Sequence, residues 1–173
     1  MTPEVWLRGP IAGVPALLQP VAHSLLQCRE EMRACVDGLT PEQIWARPTA
    51  AATIGFHARH AAGSLDRLFT YARGEALSRA QAAALAAEAD PDLRPAAGAA
   101  LIAAFDEAVD RALEQLRTTD EASLISVRGV GRAQLPSTVV GLLFHAAEHA
   151  QRHVGQLVTT AKVVRAGSQS SGS

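Results

Sequence analysis

Apolar residues recur early in the chain with the period of a helix. Val21, Leu25, Cys28, Met32, Cys35 and Leu39 are spaced four, three, four, three and four apart, the seam that a helix turns toward the core of a bundle. This first long helix is expected to begin near Pro15 or Pro20, because a proline further inside would lose a hydrogen bond. It should end near Gly38. Ahead of it, Thr2-Pro3-Glu4 can start a short helix, with Thr as cap and Pro at the first position.

Thr40-Pro41-Glu42-Gln43 is another helix start, kept short by Pro48. A second long helix is expected from about Thr53 to Arg73, closed by Gly74, with Ile54, Ala58, Ala61, Leu65 and Leu68 on its inward face. Residues 78–89 are Ala-rich and predict a further short helix, broken by Asp90-Pro91 and Pro95. A third long helix follows from about Ala97 to Leu116, with Asp106, Glu107 and Asp110 on or near its solvated side. Residues 118–136 lack a helical pattern. Ile125 and Val127 alternate with polar neighbours, which predicts a short extended segment, and Gly129 and Gly131 predict a loop back to the bundle. Ser137 or Thr138 should cap the last long helix, which runs to about Val164. The pattern therefore predicts an all-α protein, a four-helix bundle with short extra helices and one long loop before the last helix. Residues 1–166 form one domain, and Gly167 to Ser173 form a flexible Gly/Ser tail. A coiled-coil dimer is the alternative, which the proline and glycine breaks disfavour.

Composition agrees and narrows the function. Alanine is abundant and aromatics are 4% of the 173 residues, which favours helix. Lys and Arg total 16 against 17 Asp and Glu, a net charge of -1. That balance carries neither a nucleic-acid footprint nor an anchor for an anionic membrane. No run approaches the ~20 apolar residues of a membrane span. Pro3, Glu4, Arg8 and Pro10 interrupt any signal peptide. Cys28 and Cys35 fall about 10 Å apart along one helix, too far for a disulfide. They read as small buried thiols in a reducing compartment, and the protein is expected to be cytoplasmic.

The chemistry lies in the histidines. His145, His149 and His153 stand one helical turn apart in succession on the last helix. Val139, Leu142, Ala146, Leu157, Thr160 and Val164 mark its inward face. Taking His149 as zero, that face centres near 50°, His153 lies at about 40° and His145 at about -40°. His149 and His153 thus point into the bundle, and His145 sits at its margin. Two imidazoles one turn apart can converge on one metal ion, and imidazole suits zinc, nickel, copper or iron. A third ligand must come from another helix. His57 lies about 60° from the centre of the second helix's inward face and His60 about 120°, so periodicity prefers His57. His23 reads as a polar side chain near a helix end.

Glu148-His149-Ala150-Gln151-Arg152-His153-Val154-Gly155-Gln156-Leu157 resembles the last-helix signature of the DinB-like (DinB/YfiT) superfamily, H-x-x-x-H followed by G-Q. Leu39 to Trp45 resembles its link between the first two helices, and Ile54 to His60 resembles its second-helix ligand segment. The likeness spans roughly residues 14 to 165. It implies an up-down-down-up bundle with a divalent metal, zinc or nickel, on His60, His149 and His153. It implies homodimers and a small-molecule substrate. Members of known activity include thiol-dependent transferases and isomerases, and others are called metal-dependent hydrolases. Resemblance thus favours His60 as third ligand where periodicity favours His57, which would then support the site or line the pocket.

Three histidines leave a coordination position open, as in catalytic rather than sealed sites. Glu148 lies about 100° around the helix from His149 and can serve a supporting contact, a salt bridge or the chemistry itself. Gln156 can hydrogen-bond near the site, and Trp45 and Phe56 can wall it or pack in the core. No nucleophile-elbow serine, phosphate-cradling glycine loop or paired-cysteine motif competes with the histidines. A metal-dependent enzyme, a non-catalytic metal-dependent stress or binding module, and a bundle with a vestigial site are the readings left.

Overall fold

The computed structural model describes residues 2–48, 50–88, 90 and 97–170, the last three without side chains. Its long helices are α1 (Gln19–Val36), α3 (Ile54–Ala72), α5 (Gly98–Thr118) and α6 (Val139–Ser170), with shorter α2 (Pro41–Trp45) and α4 (Arg79–Ala87) between them. Both α5 and α6 pack against α1 and α3, so α1 and α3 occupy one diagonal of the bundle and α5 and α6 the other.

Side-chain pairings fix the directions. Arg165 on α6 donates to the Cys35 carbonyl at 2.9 Å, and Gln151 accepts from the Cys28 thiol at 3.2 Å. Numbers rise together, so α1 and α6 are parallel. Arg29 reaches Asp110 and Arg33 reaches Asp106, so α5 runs against α1. Asp66 approaches Arg111, and the Phe69 carbonyl accepts from Gln115, so α3 and α5 are parallel. The order is up-down-down-up, as the resemblance implied. Asp106 is not simply solvated: its carboxylate lies between Arg29 and Arg33 and ties α5 to α1.

The core lies where the four seams meet. Leu18, Leu25, Cys28, Ile44, Ile54, Ala61, Val109, Leu116, Leu143, Ala150, Val154 and Leu157 are fully enclosed, and apolar burial of this kind is the main stabilising term. Both cysteines are free and buried, as expected, and burial pushes the Cys28 thiol up to about 12. Among the described residues no helix is long and apolar enough to cross a membrane.

Helix starts follow the caps that the sequence offers. Thr40 and Gln43 form a reciprocal capping box, and the Thr53 and Thr138 hydroxyls accept from Phe56 and Gly141 N–H at 3.0 and 3.1 Å. Pro20 sits in the first turn of α1, where its missing N–H costs nothing. Gly74 closes α3 at φ 81, a left-handed backbone that glycine adopts without strain.

Three expectations shift. The first turn is 3-10 helix at Val5–Leu7 rather than a helix opening at Thr2, because Val5 is buried and its N–H donates to Gln27. The long loop contains a hairpin: β1 (Val127–Val130) pairs antiparallel with β2 (Leu135–Thr138), Val127 opposite Thr138 and Val130 opposite Leu135. Gly131 at φ 66 permits the reversal. The last helix continues through Gly167 to Ser170 instead of ending near Val164, since no proline follows to stop it. The expected break at Pro91 and Pro95, and residues 171–173, lie outside the described residues.

Two glycines offer a stability test. A Cβ on Gly55 would overlap the Trp45 ring, whereas a Cβ on Gly155 meets nothing within 4 Å. Overpacking costs about 1–3 kcal/mol, and the helix propensity that alanine gains, about 1 kcal/mol, offsets only part of it. Thermal melts should therefore show Gly55→Ala less stable than the parent and Gly155→Ala more stable by about 0.5–1 kcal/mol.

Candidate metal centre

The Thr53 cap starts α3, and His57 and His60 fall on the side of that helix that meets α6. His57 is 6% exposed; His60 is half-buried at the edge of the seam. Because α6 runs antiparallel to α3, the four rings meet in reverse order. His57 Nδ1 lies 3.0 Å from His153 Nδ1, and His60 Nε2 lies 3.0 Å from His149 Nε2. Ring centroids of His60 and His149 stand 4.4 and 4.6 Å from that of His153.

His60, His149 and His153 each offer a ring nitrogen, and these nitrogens all lie within 4.8 Å of one another. His57 is not part of that group; it contacts His153 through the Nδ1 pair. His145 is 47% exposed at its side chain and hydrogen-bonds Glu148, the margin position that rotation predicted. Glu148 also holds Arg152 at 2.6 Å, so its carboxylate is engaged in a surface network. Gln156 is exposed. His23 sits near the start of α1, where its Nε2 donates to the Gly9 carbonyl oxygen at 2.9 Å. Phe56 walls the site, its ring stacked on His60 at 5.6 Å and 10°. Trp45 packs over Gly55 instead.

The donor set fits a divalent cation. Imidazole nitrogens bind zinc at roughly 2.0–2.1 Å, which puts two donors on one ion about 3–3.5 Å apart. The 3.0 Å between His60 and His149 Nε2 falls at that separation. The other nitrogen of the His149 ring, Nδ1, is buried without a hydrogen-bond partner. His60 turns its other nitrogen outward to Glu88, Nδ1 to Oε2 at 2.7 Å, the backing that metal-ligating histidines generally have.

Glu88 and its partner Arg67 were not anticipated from the sequence. Glu88 follows α4, is 8% exposed, and accepts from Arg67 at 2.5 Å. A signal was present: Glu88 is the single charged residue within the alanine-rich run 80–89. Burial pushes its carboxyl up, but hydrogen bonds and charge from His60 and Arg67 outweigh that and hold it below the usual range. Burial, then the neighbouring cations, lower three of the imidazoles. His57 falls through burial and His60. His149 falls through burial, His60, His145 and Arg152, against an opposing pull from Glu148. His153 drops to about 4 through burial and the charges of His60, His149, His57 and Arg152.

Comparison with known proteins bears on the family and the fold. The family model described as the DinB superfamily matches residues 24–157. Among solved structures, a conserved protein from Enterococcus faecalis superposes with a TM-score of 0.71 at 18% identity, covering 86% of this chain and 97% of that one. A DinB-like protein from Bacillus cereus ATCC 10987 superposes with a TM-score of 0.65 at 15% identity, covering 85% and 91%. At such identities the likeness is one of fold. No curated protein matches.

The lowered histidines give a pH dependence for the metal-free protein. The unfolded chain takes up protons near the ordinary imidazole value, about 6.5, while folded His153 resists until about 4. Between those values the unfolded state binds more protons, so stability falls as pH falls. Denaturant midpoints measured on chelator-treated protein from pH 7 to pH 4 should decline, and His153→Gln should flatten the decline. A flat parent profile would contradict the burial described.

Proposed function

The chain belongs to the DinB superfamily, and we propose that this member holds one divalent metal ion, zinc or nickel, on His60, His149 and His153 and uses it on a small-molecule substrate. The observation that carries the reading is the convergence of three imidazole nitrogens within 4.8 Å, with His60 backed by Glu88. Neutral imidazoles suit these ions, and burial keeps His149 and His153 neutral near pH 7.

Three protein ligands leave room for a further one. A divalent ion there supplies Lewis-acid chemistry at neutral pH, which serves hydrolysis or the transfer of a thiol-bound group. The protein's own part is to position and to shield. Phe56 covers one face of His60, and the enclosed apolar residues of α3 and α6 keep the inner side of the cluster dry. Glu148 is tied to His145 and Arg152, which argues for a supporting role over proton transfer.

Metal analysis of protein purified without a histidine tag should find about one ion per chain. His149→Ala and His60→Ala should each lose it, and His57→Ala should still bind it, though more weakly. Zinc at about 100-fold over its dissociation constant should stabilise the parent by about 2.7 kcal/mol and leave His149→Ala unmoved. Loss of metal from His57→Ala with retention in His60→Ala would make His57 the third ligand. A loaded protein that turns over no thiol conjugate, ester or amide would sink the enzymatic part and leave the binding part standing.

A further inference from the structure

Glu88 and His57 both touch the cluster, Glu88 at His60 Nδ1 and His57 at His153 Nδ1. We propose that these two are positioning residues that fix the ring tautomers of His60 and His153, so that both present Nε2 inward. The proposal rests on the metal reading above, but its first measurement does not require metal.

Glu88 acts on His60. Its carboxylate lies 2.7 Å from His60 Nδ1 and also receives a hydrogen bond from Arg67. An ionised carboxylate only accepts, so the His60 proton resides on Nδ1 and the Nε2 lone pair is free. That Nε2 is the atom placed 3.0 Å from His149 Nε2. Arg67 is itself 8% exposed, and its guanidinium anchors the carboxylate from the other side. Gly63 makes the approach possible, since a Cβ there would collide with Glu88 Oε1.

The second pair follows the same logic. His57 and His153 face each other through Nδ1 atoms 3.0 Å apart. Two neutral imidazoles at that distance share one hydrogen: one ring donates and the other accepts. When His153 donates, its Nε2 keeps a lone pair and matches His60. When His57 donates, His153 carries a proton on Nε2, which no cation tolerates. His57 lies outside the converging set, so it is the ring that can act as acceptor. Buried at 6% exposure and edge-on to Phe56, it is held in place for that part.

The route to Glu88 gives the arrangement its purpose. No residue of α4 itself is buried, yet the helix is pinned at both ends. Gln81 donates to Asp66 and Thr70, and Arg59 donates to the Ala87 carbonyl. An otherwise exposed helix therefore delivers one carboxylate to one imidazole.

The test is nitrogen-15 NMR of the histidine rings in the metal-free protein, followed by zinc titration against a competing chelator. His60 and His153 should each show a single tautomer protonated at Nδ1. Glu88→Ala should abolish that preference at His60 alone, and His57→Phe at His153 alone. Zinc affinity should fall roughly 10- to 100-fold in each. Glu88→Gln keeps an acceptor oxygen and should stay within a few-fold of the parent. Because Glu88→Ala strands a buried Arg67, a Glu88→Ala/Arg67→Met double variant, checked by thermal melting, guards against simple unfolding. An unchanged His60 tautomer in Glu88→Ala, or equal weakening by Ala and Gln, overturns the part assigned to Glu88. An unchanged His153 tautomer in His57→Phe overturns that assigned to His57. A parent that binds no zinc defeats the metal reading, and the tautomers alone then decide this one.

Discussion

The closeness of α3 to α6 governs the rest of this protein. Bundle helices pack about 8–10 Å apart, and an imidazole reaches only part of that gap. Ring nitrogens nonetheless meet at 3.0 Å across the two helices, the pair that packs most extensively in the bundle. Both helices bury small side chains, Ala58 and Ala61 on α3 and Ala146, Ala147 and Ala150 on α6, and small residues are what permits backbones to come close.

That closeness has an electrostatic cost. Four imidazoles near one another cannot all carry charge, and burial adds to the penalty. The structure answers with partners rather than with solvent. Glu88 engages His60, His57 engages His153, and Arg67 steadies Glu88. Only His149 Nδ1 is without such a contact among the described buried side-chain atoms of the cluster. The same feature that strains the cluster as a set of bases suits it as a set of ligands.

Much of this was legible beforehand, in the parts ruled by short-range rules. The caps at Thr40, Thr53 and Thr138, the breaks at Gly38 and Gly74 and the seam from Val21 to Cys35 depend on neighbours within a turn or two. Rotation placed His145 at the margin of α6 for the same reason. Periodicity also ranked His57 and His60 properly by burial, since His57 is the deeper of the two. It could not rank them by which nitrogen reaches the centre, because that depends on how α3 and α6 are staggered. The resemblance pointed to His60, whose ring nitrogen lies with those of His149 and His153. Glu88 escaped both, as its role arises from a long-range contact by a segment with no buried face of its own. The hairpin was half visible: Ile125 and Val127 announced an extended strand, but pairing with Leu135–Thr138 is a matter of tertiary closure.

Helix α4 illustrates a different relation between sequence and site. Its surface residues touch little, so their identities are nearly free to drift. Its length is not. Gln81 and Glu88 are both fastened to α3, seven positions or about two turns apart. One inserted residue would swing the far anchor by about 100° and advance it about 1.5 Å. The segment thus behaves as a ruler, whose markings can be rewritten but whose span is fixed by the two points that it joins.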